Sequence, residues 1–196
     1  MSIPLQLERL LDAVQPGDDK ERGDLALLRA YGAELSEPFS SQQPGAHFTG
    51  SALVTDGVRV ALVFHRKLGR WLQPGGHPEP DDGGELSSTA LREAREETGL
   101  VVQLHPKAPR PLDVDVHRNP ARPEAPAHLH LDVRFLAVAD ASAPLVRQAS
   151  EVSEVRWFSF AQALAQADDA SLRRLLHKAM ACLARTGAAP PEGSPL

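Results

Sequence analysis

The chain has 196 residues, of which 21 are Lys or Arg and 26 are Asp or Glu, so its formal net charge is −5. This length suits one domain with a substantial core. Because there is no basic excess to attract a nucleic-acid backbone or an anionic membrane, we expect neither as a partner. The single cysteine, Cys182, excludes an intrachain disulfide and a multi-cysteine zinc site. With no secretory leader pattern and no apolar run of about 18 residues, the sequence predicts a cytoplasmic protein.

Two amphipathic segments near the N-terminus predict a helical extension. Apolar side chains recur at helical spacing over residues 5–14 and again over residues 24–35. Residues 36–46 are rich in Ser, Gln, Pro and Gly, a composition typical of a connector. We therefore assign residues 1–45 to an N-terminal helical extension and connector, which would cover the main domain, form the interface of a homodimer or contribute a lid.

A β-hairpin and a glycine-flanked helix follow. Residues 49–55 and 58–65 are rich in strand-forming side chains and are joined by Asp56-Gly57, a dipeptide that favours a tight hairpin turn. Residues 85–98 carry a helical pattern that Gly99 terminates. The order strand, glycine loop and helix predicts an α/β protein with a mixed sheet between helices.

Two further segments, residues 112–117 and 128–135, alternate apolar and polar side chains as half-buried, paired strands do. Residues 118–126 then form a surface loop. On the second strand, one face is apolar, and the other carries His128, His130, Asp132 and Arg134. This polar face either lines a substrate cleft or is hydrated surface.

The C-terminal third contains a last strand at residues 155–158 and a helical stretch from about residue 161 to residue 185. Residues 187–196 are too rich in proline and polar side chains to pack, and we expect a flexible tail there. The main domain is therefore predicted to span residues 46–186.

Three carboxylates on the predicted helix are the strongest chemical feature. Glu93, Glu96 and Glu97 are related by i, i+3 and i+4, so they project from one side of a helix. Such clustered oxygen ligands repel one another unless a cation lies among them, and they suit Mg²⁺ or Mn²⁺. The alternative is a solvated helix face, because Arg92 and Arg95 are interleaved and Arg92 pairs with Glu96 at i, i+4.

The run Arg92-Glu-Ala-Arg-Glu-Glu-Thr-Gly-Leu100 resembles the signature of the Nudix hydrolase family. That pattern is a Gly, five residues, a Glu, seven residues, and then Arg-Glu-apolar-x-Glu-Glu-x-Gly-apolar. Here Gly76 precedes Arg92 by 16 positions instead of 14, so the loop is two residues longer than usual. Counted back from Arg92, the first Glu of the pattern falls on Gly84, which leaves Glu79 and Glu85 in doubt as its equivalents. The resemblance covers roughly residues 46–160, and a Pro-Gly-Gly-His77 segment resembles a bacterial subgroup.

The resemblance implies a Nudix fold and hydrolysis of a pyrophosphate bond in a nucleoside diphosphate linked to another group, or in a related nucleotide. It implies metal binding by three glutamates and one backbone carbonyl: Glu93, Glu96, Glu97 and Gly75. The catalytic set would be Arg92, which orients the glutamates, with Glu96, Glu97 and Glu151. Glu97 and Glu151 compete as general base, with Glu154 next after Glu151. The residues expected at the substrate are His77, His128, His130 and Asp132.

Other readings of the same residues stay open at the level of sequence. The run His128-Leu-His-Leu-Asp132 is similar to the zinc-binding His-x-His-x-Asp-His run of metallo-β-lactamase-like hydrolases, but it lacks the final His and lies in a strand. A catalytically inactive Nudix-fold module that binds a nucleotide is the main alternative function. A structural protein with an acidic helix surface is a second one. The class of nucleotide is not fixed by these motifs.

Overall fold

The computed structural model describes residues 3–121, 126–140, 142–146 and 152–184. Its helices are α1 Leu5–Asp12, α2 Asp19–Glu34, α3 Leu86–Thr98, α4 Phe160–Gln166 and α5 Ala170–Ala184, with a short 3-10 helix at Pro80–Asp82. Its strands are β1 Ala46–Thr55, β2 Arg59–His65, β3 Arg70–Leu72, β4 Gly75–Gly76, β5 Val102–Leu104, β6 Asp113–Asn119, β7 His128–Ala139 and β8 Val152–Ser159. None of the helices in the described ranges combines the length and apolar character needed to cross a bilayer.

The eight strands form one mixed sheet. Its main order is β3-β2-β1-β7-β5, with β4 also paired to β1, β6 to β7, and β8 to β2. The central pair, β1 and β7, is parallel from Ala46 opposite Leu129 to Thr55 opposite Val138, and the other pairs are antiparallel. Strands far apart in sequence are therefore brought together at the centre of the sheet.

The predicted hairpin is confirmed between β1 and β2. Gly57 has φ +94°, a left-handed conformation that glycine adopts without strain. The Asp56 carboxylate accepts hydrogen bonds from the backbone N–H groups of Val58 and Arg59 at 2.9 and 2.6 Å. The turn is thus fixed by both residues of the Asp-Gly dipeptide.

Helices cover both faces of the sheet, as the sequence predicts. On one face, α1, α2 and α3 bury their apolar side chains against Phe48, Leu131 and Phe135. On the other face, α4 and α5 pack over a second apolar cluster that includes Leu53 and Leu136. Along β7, Leu131, Val133 and Phe135 pack in the first layer and Leu136 in the second, so alternate side chains lie on opposite faces as predicted. The strand is not half-buried, however, because Asp132 and Arg134 on its polar face are each 3% exposed, and this part of the face is not hydrated surface.

The N-terminal helices cover the main domain. α2 begins five residues before the predicted start, because the Asp18 carboxylate accepts the backbone N–H of Glu21 at 2.7 Å and caps the helix. Glu21 is fully buried. Its carboxylate accepts a hydrogen bond from the backbone N–H of Val114 at 3.2 Å and forms an ion pair with Lys178 at 2.5 Å. These contacts tie α2 to β6 and to α5.

The polar half of β7 continues into a buried ionic network. Arg134 lies 2.9 Å from Asp132, 3.2 Å from Asp115 and 3.4 Å from Asp113. Arg174 of α5 lies 2.7 Å from Asp113 on the other side of that carboxylate. Because each charge has at least one opposite partner, this face of the sheet is buried without leaving an isolated ion.

Three expectations differ from the structure in detail. β5 was not predicted, since three residues carry too little pattern. The C-terminal helical stretch is divided into α4 and α5, because Asp169 caps the second helix by accepting the backbone N–H of Leu172 at 2.8 Å. The loop predicted at residues 118–126 begins two residues later, because Arg118 and Asn119 still pair with β7 as the end of β6. Residues 122–125 of that loop and the expected tail at 187–196 lie outside the described residues.

Candidate active site

Helix α3 carries the predicted acidic residues along one edge of the sheet. Its apolar stripe, Ala90 and Ala94, is fully buried against the sheet. Gly50 of β1 allows this close packing, because a Cβ there would lie 2.5 Å from the backbone oxygen of Leu86. α3 ends at Gly99, which has φ +72°. The helix is therefore held in register with the glycine strand β4, which pairs with β1.

Arg92 is the centre of the acidic cluster. Its Nη1 lies 3.0 Å from Glu93 Oε1 and 3.4 Å from both carboxylate oxygens of Glu96. Its Nη2 donates to the backbone oxygen of His77 at 2.7 Å. One guanidinium thus links two predicted metal ligands to the loop that follows β4, consistent with the orienting role expected for Arg92.

Asp82 holds Arg92 from the opposite side. Arg92 donates from Nε to Asp82 Oδ1 at 3.0 Å and from Nη2 to Oδ2 at 3.1 Å. Asp82 Oδ2 also accepts from Thr89 Oγ1 and from the backbone N–H of Glu79, each at 2.9 Å. Burial alone would raise the pKa of Asp82, but these hydrogen bonds outweigh it, so the pKa lies below its ordinary value.

Asp82 is a site residue that the sequence reasoning missed. Five residues separate Gly76 from Asp82, which therefore occupies the position of the first Glu in the Nudix pattern. The two additional loop residues therefore follow this position and precede α3. Glu79 lies 3.7 Å from Arg92 and is exposed, and Glu85 is the residue before α3. Counting forward from Gly76, instead of back from Arg92, would have identified Asp82.

The three glutamates differ in their surroundings. Glu93 fits against Gly76, where any Cβ would overlap its carboxylate. Burial raises the pKa of Glu93 despite the opposing charge of Arg92. Glu97 is 7% exposed and accepts the backbone N–H of Gly75 at 3.2 Å, whereas the Glu96 side chain is 51% exposed.

These residues fit a hard divalent cation in their chemistry. Carboxylate oxygens and a backbone carbonyl at Gly75 are the ligands that Mg²⁺ and Mn²⁺ prefer. A buried Glu93 with a raised pKa is also a group whose charged form a cation would stabilise. The three carboxylates do not form a compact ligand set, because Arg92 engages Glu93 and Glu96 while Glu97 bonds to Gly75.

A second polar cluster consists of histidines on neighbouring strands. His47 of β1 lies opposite His130 of β7, and His117 of β6 lies opposite His130 on the other side. The ring centroid of His47 lies 4.9 Å from that of His77, 4.8 Å from that of His128 and 5.1 Å from that of His130. Three of the residues expected at the substrate, His77, His128 and His130, are thus brought together next to the glycine strand.

His47 was not among the predicted site residues. It is 2% exposed, and among the described residues neither ring nitrogen has a hydrogen-bond partner. The backbone of Gln43 acts on the ring electrostatically without meeting hydrogen-bond geometry. Burial, together with the nearby imidazoles, lowers the pKa of His47 to about 4. An unpaired buried polar group costs about 1–3 kcal/mol, so this position calls for an explanation.

Asp132 occupies a different setting from the histidines. It is 3% exposed, and its two carboxylate oxygens accept from Thr49 Oγ1 at 3.0 Å and from Ser51 Oγ at 2.8 Å. Arg134 donates to the same group at 2.9 Å. Asp132 is therefore engaged by the protein, although it shares a strand face with His128 and His130. The predicted base Glu151 lies outside the described residues.

Comparison with known proteins identifies the fold and the family. A sequence profile described as NUDIX domain matches residues 47–179. A hydrolase of the NUDIX family from Clostridium perfringens is 22% identical, with a TM-score of 0.53, and the match covers 71% of this chain and 97% of that one. An Ap4A hydrolase from C. elegans, crystallised as a binary complex, is 20% identical with a TM-score of 0.55 over 70% and 98% of the two chains.

A third structure is the NUDIX domain of NrtR from Shewanella oneidensis, crystallised with ADP ribose. It is 22% identical with a TM-score of 0.50, over 69% of this chain and 87% of that one. At these identities the structures establish a shared fold. The fold and the glutamate helix define a pyrophosphohydrolase of the Nudix type. Since the profile matches more than half of its length, the chain belongs to the Nudix family.

Proposed function

We propose that this chain hydrolyses a pyrophosphate bond in a nucleoside diphosphate linked to another moiety, or in a related nucleotide, with Mg²⁺ or Mn²⁺. The main support for the proposal is that the guanidinium of Arg92 holds two of the glutamates in place. Arg92 contacts Glu93, Glu96 and the backbone of His77, and Asp82 fixes Arg92 in turn. A helix face that was merely solvated would not need this buried anchor.

The metal ligands would be Glu93, Glu96, Glu97 and the carbonyl of Gly75. When bound, the cation would neutralise phosphate oxygens and lower the pKa of a bound water. Glu93 lies against Gly76, and Glu97 is hydrogen-bonded to the Gly75 backbone. Both carboxylates would therefore bind the cation next to the glycine strand. Arg92 would keep these groups aligned without contacting the substrate.

The proton from the attacking water would pass to a carboxylate. Glu97 and Glu151 are the two bases we propose, and Glu97 is the one whose surroundings are described. It is nearly buried and lies against the Gly75 backbone, so its oxygens face the segment where the phosphate would bind. Replacing Glu97 or Glu151 by Gln, and following the pH dependence of kcat, would assign the base.

Substrate contact is proposed for His77, which follows the glycine strand and whose backbone oxygen is held by Arg92. His128 and His130 lie next to it, while Asp132 would act indirectly, by holding Arg134 and the β1 hydroxyls. The C. elegans Ap4A hydrolase and the ADP-ribose complex of the NrtR domain make dinucleotides and ADP-ribose the first compounds to test. Nucleotide sugars, CDP-alcohols, coenzyme A and oxidised nucleotides complete the panel.

Several finer assignments stay predictions of the sequence. These are the Pro-Gly-Gly-His subgroup, the cytoplasmic location, the absence of a nucleic-acid partner and the homodimer. An inactive nucleotide-binding module is the second function, since a Nudix domain in complex with ADP ribose exists in NrtR. The intact Arg92-to-Glu97 run favours the enzyme, because a module that does not cleave its ligand has no need of all three glutamates.

The test is release of phosphate-containing products from this panel, with Mg²⁺, with Mn²⁺ and with a chelator. Metal-dependent cleavage of one class supports the proposal and identifies the substrate. Thermal stabilisation by a nucleotide, without turnover of any compound under any metal condition, would replace it with the binding module.

A further inference from the structure

The histidine cluster presents ring nitrogens at metal-ligand spacing. Among the described residues, one group of three metal-binding side chains has all its ligand atoms within 4.8 Å of one another, and it consists of His47, His128 and His130. Nε2 of His128 and Nε2 of His130 are 3.1 Å apart. Two ligands of a tetrahedral ion with metal–nitrogen bonds of about 2.0–2.1 Å would be separated by slightly more than this.

The tautomer of His128 leaves a lone pair on its Nε2. His128 donates its Nδ1–H to the backbone oxygen of Pro126 at 2.9 Å, so its Nε2 carries the lone pair. The Asn119 amide nitrogen lies 3.3 Å from Nε2 of both His128 and His130, so its N–H groups face the nitrogens that would bind an ion and would have to turn away on binding. The hydrogen bond from His128 Nδ1 to Pro126 is of the kind that commonly orients a histidine ligand through its other nitrogen.

His47 supplies an independent observation. It is almost completely buried, it faces the other two rings, and in the described part of the chain neither of its nitrogens makes a well-formed hydrogen bond, although the backbone of Gln43 lies near the ring. A metal ion would satisfy the nitrogen that points into the cluster. Parallel pairing of β1 with β7 fixes this ring beside His130, so the arrangement is built into the centre of the sheet.

Charge favours a cation over an anion in this cluster. Burial and the surrounding imidazoles lower the pKa of both His47 and His130, so these rings are neutral near pH 7. The neighbouring titratable side chains are His77 and His117, with ring centroids 5.1 and 5.3 Å from that of His130. Neutral imidazoles bind transition metals, whereas they offer no positive charge to a phosphate.

We propose that His47, His128 and His130 bind one transition-metal ion of the Zn²⁺ type, separate from the glutamate site on α3. Imidazole nitrogens select Zn²⁺ and similar ions over Mg²⁺, whose preferred ligands are oxygens. Three protein ligands leave a coordination position open, as in zinc sites that bind a water or a substrate group. Because His77 joins the cluster to the glycine strand, a substrate phosphate could occupy that position. The site itself does not depend on the proposed hydrolysis.

The test uses the untagged, full-length chain after chelator treatment, titrated with Zn²⁺ by calorimetry in excess Mg²⁺. Co²⁺ serves as a second probe, because its visible absorption reports the coordinating atoms and their number. His128→Ala removes a partly exposed ligand, and His47→Ala a buried one. His177→Ala, on the exposed face of α5, is the matched control. Circular dichroism and thermal melts establish that each variant is folded.

We expect one Zn²⁺ per chain in the unaltered protein and in His177→Ala, unaffected by Mg²⁺. His128→Ala and His47→Ala should bind at least on the order of 100-fold more weakly, since even outer partners of a metal ligand change affinity by about 10–100-fold. If His47→Ala does not fold, His128→Ala alone decides. Unchanged Zn²⁺ affinity in His128→Ala, or loss of binding in Glu96→Gln instead, would overturn the proposal. Stabilisation by inorganic phosphate without any Zn²⁺ binding would also overturn it and indicate an anion site.

Discussion

Asp82 and Arg92 form a two-point ion pair, with Nε 3.0 Å from Oδ1 and Nη2 3.1 Å from Oδ2. The same guanidinium reaches Glu93 and Glu96 through Nη1. Asp82 is therefore a positioning residue, because it acts on the proposed metal ligands through Arg92. An acidic side chain before α3 thus determines how the acidic edge of α3 is arranged.

Removing this anchor should reduce turnover more than substrate affinity. Asp82→Ala frees Arg92, so we expect kcat to fall by on the order of 10- to 100-fold, with a smaller change in KM. Asp82→Glu keeps the carboxylate that the family pattern places there, and it should retain most of the activity. Steady-state kinetics at saturating Mg²⁺ measures both parameters. Asp81→Ala, at the exposed neighbouring residue, is the control. Equal losses in Asp82→Glu and Asp82→Ala would argue against a positioning role.

Gly76→Ala should displace Glu93. The added methyl would overlap the Glu93 carboxylate, which lies directly against Gly76. We expect at least about a tenfold loss of kcat, since small displacements in a catalytic site are costly. Gly23→Ala is the matched control, because a Cβ at Gly23 meets nothing within 4 Å. That change should leave activity unchanged and stabilise α2 by about 0.5–1 kcal/mol. Full activity in Gly76→Ala would show that the position of Glu93 is unimportant.

The N-terminal helices should contribute directly to stability. Leu28 of α2 is 0% exposed within the apolar core, while its neighbour Leu27 is 44% exposed. Leu28→Ala should lower the free energy of unfolding by about 2–5 kcal/mol. Leu27→Ala should change it by less than about 1 kcal/mol. Urea denaturation compares the two variants, and similar small effects in both would mean that α2 is not part of the core.

Asp115 should make stability depend on pH in the acidic range. Burial would raise the pKa of Asp115, but the hydrogen bond from His117 and the charges of Arg134 and Lys20 outweigh it, so this pKa lies far below its ordinary value. The charged groups that face Asp115 are Lys20, Arg134 and Arg174, and the His117 ring also contacts it. In the unfolded chain an Asp titrates near pH 3.9. Its stabilising effect is therefore complete above that value and is lost as the pH falls below it.

The measurement is urea denaturation of the chelator-treated protein at pH 5, 4 and 3. Asp115→Asn should be less stable by about 3–5 kcal/mol at pH 5, because the buried cations Arg134 and Arg174 and the exposed Lys20 lose a partner. Below pH 4 the difference from the unaltered protein should narrow by about 1.4 kcal/mol per pH unit. Asp19→Asn, with a side chain that is 99% exposed, should show no such dependence. If the unfolding free energies of Asp115→Asn and the unaltered protein differed by the same amount from pH 5 to pH 3, Asp115 would not be the source of the pH dependence.

Local patterns in the sequence predicted most of the fold. The Asp56-Gly57 turn, the helix ending at Gly99 and the placement of alternate β7 side chains on opposite faces depend on nearby residues, and the structure confirms each of them. Asp169, which separates α4 from α5, was overlooked because its capping role depends on where the preceding helix ends. The glutamates of α3 were identified for the same local reason, through helical spacing.

Features that depend on distant residues were not predicted. His47 and His130 are 83 positions apart, and their contact arises from the parallel pairing of β1 with β7, which no local pattern specifies. The anchoring of Arg92 by Asp82 depends on how the lengthened loop folds back over α3. The burial of Glu21 against β6 and α5 likewise requires the packed structure.

The central claim, that the glutamates of α3 carry out a metal-dependent hydrolysis, is tested most directly by Glu97→Gln. Turnover of the best substrate with Mg²⁺ should be compared with the unaltered chain and with Glu34→Gln, at an exposed residue of α2. We predict a loss on the order of 100-fold or more in Glu97→Gln, none in Glu34→Gln, and thermal melts near that of the unaltered chain in both. An unchanged rate in a folded Glu97→Gln, and likewise in Glu96→Gln, would contradict the account.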